Sequence, residues 1–124
     1  MIMAKHNEKG SKAEKVGEKY LVNRGYSILH KNWHYGHKEI DLVAEKNNRL
    51  IIVEIKGRID KYYNGPSDVI SIRKMKNLCD AAEAYINKFN IEKEIQFDLI
   101  IVIFGRDENH IEHIEEVFYP GVNW

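Results

Sequence analysis

The chain has 124 residues, 19 basic and 19 acidic side chains, and a formal net charge of zero. That length suits one domain with one core and is too short for two, so residues 1–124 are read as a single domain. The neutral balance sets the chain apart from strong non-specific DNA binders, yet a nucleic-acid partner stays open because binding depends on where charges sit. The single cysteine, Cys79, excludes an internal disulfide and points to a reducing cytoplasm. Neither a signal peptide nor a run of transmembrane length is visible, the longest apolar run being Leu99 to Phe104, so no membrane role is expected.

In chain order, residues 1–10 read as a charged, flexible leader. Ser11 suits a helix N-cap, with Glu14 three residues later completing a capping box. The helix runs to about Asn23 and stops at Gly25. Its apolar stripe is Ala13, Val16, Gly17, Tyr20 and Leu21. Glu14 lies close to Leu21 in azimuth, so it either caps the helix or looks into the protein. Tyr26 to Trp33 reads as a first strand, and a turn containing Gly36 follows.

Residues 38–58 read as a β-hairpin turned at Asn47-Asn48, since Asn tolerates positive φ. Ladder partners then have numbers summing to 95, which sets Asp41 opposite Glu54 and Glu39 opposite Lys56. Leu50 to Ile55 is a near-continuous apolar run, typical of a strand covered on both faces, and Glu54 and Lys56 are placed within it. Opposed carboxylates repel unless something positive stands between them, and a hard divalent cation is the simplest candidate. An exposed edge hairpin carrying Lys56 ion pairs is the alternative.

After Arg58 a polar loop to Pro66 carries Lys61, Tyr62 and Tyr63, which could grip a phosphate backbone, stack on a base, or simply face water. A second helix is expected over roughly Ile70 to Asn87, with Ile72, Met75, Leu78, Cys79, Ala82, Tyr85 and Ile86 as its buried stripe. Ile95 to Phe104 is a second strongly apolar strand with Asp98 embedded in it. The segment from Ile111 to Phe118 reads as a last strand, and His110 and His113 read as surface histidines, with no cysteine or acid evident to complete a zinc set. Tyr62, Tyr63 and Trp124 are candidate exposed aromatics. The order helix, three strands, helix, two strands implies an α/β fold. In it, an antiparallel three-strand meander, a crossover helix and further strands make a mixed sheet flanked by helices.

A helix glutamate, a strand aspartate and a Glu-x-Lys on the next strand, here Glu14, Asp41, Glu54 and Lys56, follow the order of the PD-(D/E)xK restriction-endonuclease-like nucleases. Taken with Gly10-Ser-Lys-Ala-Glu14, Asn32-Trp33, Glu39-Ile-Asp-Leu-Val-Ala44, Val53-Glu-Ile-Lys-Gly-Arg58, Lys74 and Phe97-Asp98, the chain resembles the YraN-type family of small bacterial proteins nearly throughout. The opening is also similar to archaeal Holliday junction resolvases. Lys38 stands where the family usually has glycine, and His34 and Gly36 stand where it often has arginines.

The resemblance implies a restriction-endonuclease-like core in which Asp41 and Glu54 bind Mg²⁺ or Mn²⁺. Lys56 would orient or activate the attacking water, and Glu14 would complete the acidic cluster. Arg58 and Lys74 match basic positions and either contact phosphate or serve structure. The expected activity is that of a metal-dependent nuclease on DNA, branched or damaged forms included. A non-catalytic nucleic-acid-binding or partner-binding module is the alternative. Many nucleases of this fold dimerise, so a homodimer is one expected assembly.

Overall fold

The structure is a computed structural model. It describes residues 2–121, with backbone alone for residues 2–9 and 68; Trp124 lies outside the described residues. The element order is α1 (Ile2–Asn23), β1 (Ser27–Tyr35), β2 (Lys38–Lys46), β3 (Arg49–Ile59), α2 (Ile72–Phe89), β4 (Glu94–Phe104) and β5 (Asn109–Ile114), with two short 3₁₀ turns between β3 and α2. The strands form one sheet in the order β1-β2-β3-β4-β5. Neighbours are antiparallel except β3 and β4, which run parallel through the α2 crossover. This five-stranded mixed sheet flanked by helices is the expected α/β architecture, consistent with a restriction-endonuclease-like fold.

Local chemistry explains the main turns. Asn47 (φ 52°) and Asn48 (φ 61°) both adopt the left-handed conformation that a two-residue hairpin loop requires. The resulting ladder runs from Lys46–Arg49 to Leu42–Val53, each pair summing to 95. At the end of α1 the Gly25 N–H donates to the Val22 carbonyl (3.1 Å) and the Tyr26 N–H to the Leu21 carbonyl (3.0 Å). Gly25 takes φ 89° to allow this double closure. The start of α1 differs from expectation. The helix already begins at Ile2, so the segment read as a leader is helical backbone and Ser11 sits inside the helix. Ser11 therefore does not cap it, and Glu14 is free of a capping-box role.

Each helix covers one face of the sheet. Ala13 and Leu21 of α1 pack with Leu42, Ala44, Ile51, Val53, Ile55, Ile100 and Val102. Leu78, Ala81, Ala82 and Tyr85 of α2 pack with Ile40, Val43, Leu50, Ile52, Phe97 and Phe118. Along β3 odd-numbered side chains thus face α1 and even-numbered ones face α2, as strand alternation demands. On β2 the alternation breaks around Asp41, because Ile40 and Val43 lie on the same face. Opposite that break, Asn32 of β1 has φ 51°.

Helix α2 starts two residues later than expected, with Ser71 as N-cap accepting from the Lys74 N–H at 3.1 Å. Ile72 is exposed rather than part of the buried stripe. Strand β5 ends at Ile114; Val117 and Phe118 lie beyond it, where the Phe118 ring stacks on Phe97 at 4.6 Å.

Candidate metal centre

Strand β3 occupies the middle of the sheet, so the exposed edge hairpin is ruled out. Glu54 stands on the α2 face of β3, with 1% of its surface exposed. Its carboxylate is served by ion pairs and by contact with Asp41 rather than by backbone or amide donors. Two ammonium groups approach Oε2, Lys74 Nζ at 3.0 Å and Lys56 Nζ at 3.7 Å. A buried carboxylate is costly unless a positive charge compensates it, and here that compensation comes from lysine ammonium groups at Oε2.

Asp41 sits where the β2–β3 ladder ends. There the Ile55 N–H donates to Asp41 Oδ2 at 2.8 Å. Burial, then contact with Glu54 and the Glu54 charge, push the Asp41 carboxyl up to about 8, against the opposing pull of the Ile55 N–H and Lys56. Asp41 and Glu54 are brought together, but not as the expected ladder pair, because the regular register ends at Leu42–Val53. The expected Glu39–Lys56 pair is not formed: the Lys56 ammonium pairs with Glu54 instead. Glu39 turns toward Glu14 and Asp41, and the three offer oxygens within 4.8 Å of one another.

Glu14 reaches this group from α1 because Gly17 lets the helix lie close to β3. A Cβ at Gly17 would stand 3.1 Å from Ile55 Cδ1. Burial first, then the charges of Asp41 and Glu39, raise the Glu14 pKa. The Asn32 amide, with its nitrogen toward the acids, donates to Glu14 Oε1 (3.2 Å) and Glu39 Oε1 (2.9 Å). A cleft of about 130 Å³ opens here, lined by Glu14, Lys15, Asn32, Asp41 and Ile55 among others.

Among the basic residues, Lys74 is brought into the centre from the first turn of α2. Burial works against its charge, but the Glu54, Asp41 and Glu39 charges outweigh this and raise its pKa. Arg58 lies further along β3 and donates to the Gly57 carbonyl at 2.8 Å. Lys38, at the usual glycine position, ties β2 to α2 through Asp80 at 2.5 Å. In the loop after β3, Tyr62 is two-thirds exposed with the Lys61 ammonium over its ring, whereas Tyr63 is anchored to Glu112 (2.6 Å).

Sequence reasoning missed Glu39 and Asn32 as members of the cluster. The signal available was their place inside the quoted Glu-Ile-Asp and Asn-Trp motifs. It also misread His113, which is not a surface residue: its Nε2 lies 2.7 Å from Asp98 Oδ2, deep beside β4. Asp98, His113 and Glu115 form a second group with close ligand atoms. His110 is exposed.

The close-set hard oxygens of Glu14, Glu39 and Asp41 suit a divalent cation, and Glu54 is buried against Asp41 beside them. The acidic groups of this chain could thus hold a metal ion. No helix among the described residues is long and apolar enough to cross a membrane.

Comparison with known proteins shows the family. Residues 13–102 match the uncharacterised protein family UPF0102, a span that includes Glu14, Asp41, Glu54, Lys56, Arg58 and Lys74. Among bacterial relatives, a UPF0102 protein of Phocaeicola vulgatus is 41% identical over 120 residues, 97% of this chain and 99% of the relative. One from Bacteroides fragilis is 43% identical over 118 residues (95% and 98%), and one from Flavobacterium psychrophilum 39% over 117 (94% and 98%). The chain belongs to the UPF0102 family, the YraN-type family its motifs resemble.

Proposed function

We propose that the protein is a metal-dependent nuclease that hydrolyses phosphodiester bonds in DNA, with Asp41 and Glu54 holding Mg²⁺ or Mn²⁺. The observation that carries this is the packing of carboxylates: Glu54, in the centre of a sheet and 1% exposed, lies against Asp41, which shares a cluster of close oxygens with Glu14 and Glu39. A divalent cation bound there supplies Lewis-acid polarisation of phosphoryl oxygen and water.

The chain's own residues do the rest. Asp41 is oriented by the Ile55 N–H, which holds one oxygen and leaves the other for the cation. Lys56, partly exposed beside Glu54, orients the attacking water and offsets negative charge developing on the phosphate. Glu14, held by Asn32, completes the acidic wall and can accept a proton from that water. By strand alternation Arg58 falls on the same face as Glu54 and Lys56, where it contacts a flanking phosphate.

A second reading keeps the fold without the reaction. Its support is the neutral net charge and the fact that Glu54 already faces two ammonium groups. In that case the protein binds nucleic acid or a partner with salt dependence but no metal dependence. Purified protein with Mg²⁺ or Mn²⁺ and labelled duplex, single-stranded, flapped and four-way DNA separates the two. Cleavage is expected to need the metal and to fall at least about a thousandfold in Glu54→Gln, the scale of losing a principal charge-stabilising group. Cleavage that survives EDTA or Glu54→Gln in folded protein overturns the assignment; binding without cleavage supports the second reading.

A further inference from the structure

The chain supplies cations of its own to Glu54. Lys74 Nζ is nearer to Glu54 Oε2 than Lys56 Nζ is, 3.0 against 3.7 Å. Both lysines crowd the same oxygen, while Oε1 has no hydrogen-bond partner. Lys74 also belongs to the first turn of α2, immediately after the Ser71 cap. The N-terminal end of a helix carries partial positive charge and disfavours an ammonium group. What holds Lys74 inward is therefore the acidic cluster, not its own helix.

Its side chain is a flexible four-carbon stem, one-third exposed. A single positive charge on a mobile stem is a weak match for several convergent carboxylates. A divalent cation is a stronger one.

Resting on the metal reading above, we propose that Lys74 is a built-in placeholder: its ammonium occupies the cation locus of the metal-free protein and yields it to the divalent ion. Displacement moves the ammonium to the mouth of the centre, where it becomes a contact for the phosphate of an incoming nucleic-acid strand. Lys74 is then a positioning residue that couples metal loading to substrate capture. Lys56 stays on Glu54 throughout.

Mn²⁺ binding without nucleic acid, measured by calorimetry, tests this on the intact chain. Lys74→Gln is expected to bind Mn²⁺ roughly tenfold tighter than the unaltered protein, since a competing charge has been removed at close range. Lys74→Arg keeps the charge and is expected to bind as the unaltered protein does. Lys88→Gln, which removes a charge at the far end of α2, is expected to change nothing. In the unaltered protein, NMR signals of the Lys74 side-chain terminus are expected to shift and sharpen in a saturable way with Mg²⁺. That readout needs no variant to fold.

Unchanged or weaker Mn²⁺ binding in Lys74→Gln, or Lys74 signals that stay put while Mg²⁺ binds, overturns the placeholder. If Mn²⁺ binds the unaltered protein and is lost in Glu54→Gln, those outcomes leave the metal centre standing. No Mn²⁺ bound by either the unaltered protein or Lys74→Gln overturns both.

Discussion

Two carboxylates on neighbouring strands are each only 1% exposed, and the protein treats them in opposite ways. Asp98 on β4 is fully served. Its Oδ1 accepts from Gln96 Nε2 (2.9 Å) and the Glu116 N–H (3.1 Å), and its Oδ2 lies 2.7 Å from His113 Nε2. His113 continues the network to the Tyr20 hydroxyl at 3.2 Å, so β4, β5 and α1 are tied together by one buried acid. Glu54 on β3 is served instead by two lysine ammonium groups and lies against Asp41. A buried acid served by fixed dipoles holds structure together; one served by lysine side chains can exchange them for another cation.

That contrast can be broken most forcefully by removing each acid in turn. Asp98→Ala should cost about 3 kcal/mol in chemical denaturation, because Gln96, His113 and the Glu116 N–H all lose a buried partner. Glu54→Gln should cost less, since the lysines that lose their partner are one-third exposed and can turn to solvent, while Asp41 is relieved of a neighbouring charge. Equal losses in the two variants would erase the distinction.

A smaller effect is expected where α1 meets the sheet. Gly17→Val should cost about 2 kcal/mol of stability by overpacking against Ile55, and should weaken Mn²⁺ binding by lifting Glu14 away. Unaltered metal affinity in the folded variant would remove Glu14 from the centre.

The Asp41 pKa sharpens the comparison through pH. Its carboxyl is raised in the folded protein from 3.8 to about 8. Between those values the folded state keeps a proton that the unfolded state has lost. Stability from this group is therefore full below the unfolded value and is lost as pH rises through the folded one. Metal-free protein should lose melting temperature from pH 5 to pH 8 relative to Asp41→Asn, and Mn²⁺ should close the gap. A parallel pH profile for the two proteins would contradict this. The smallest effect is expected at the periphery: Arg58→Gln should reduce the salt slope of DNA binding by about one phosphate contact without changing Mn²⁺ affinity.

Much of this was legible in the sequence because it is local. Asn47-Asn48 dictates the turn and hence the register from Lys46–Arg49 to Leu42–Val53, which carries the chain to the neighbourhood of Asp41 and Glu54. The apolar run of β3 signalled burial on both faces, and β3 is indeed the central strand. The apolar stripe of α1 and the Gly25 stop follow from helical spacing and a single positive φ.

What only the tertiary structure decided is the set of partners that come from distant elements. Ser11 has the chemistry of a cap, yet the backbone is already helical before it, so local preference yields to its neighbours. Lys74 meets Glu54 because the crossover sets the first turn of α2 over the even-numbered face of β3, a placement no periodicity encodes. Asn32 and Glu39 join Glu14 through a break in strand alternation around Asp41, and Asp98 finds His113 through the pairing of β4 with β5. Period and turn chemistry are properties of adjacent residues and can be read along the chain. A buried charge acquires its role from what stands across from it, and that is settled when the layers close.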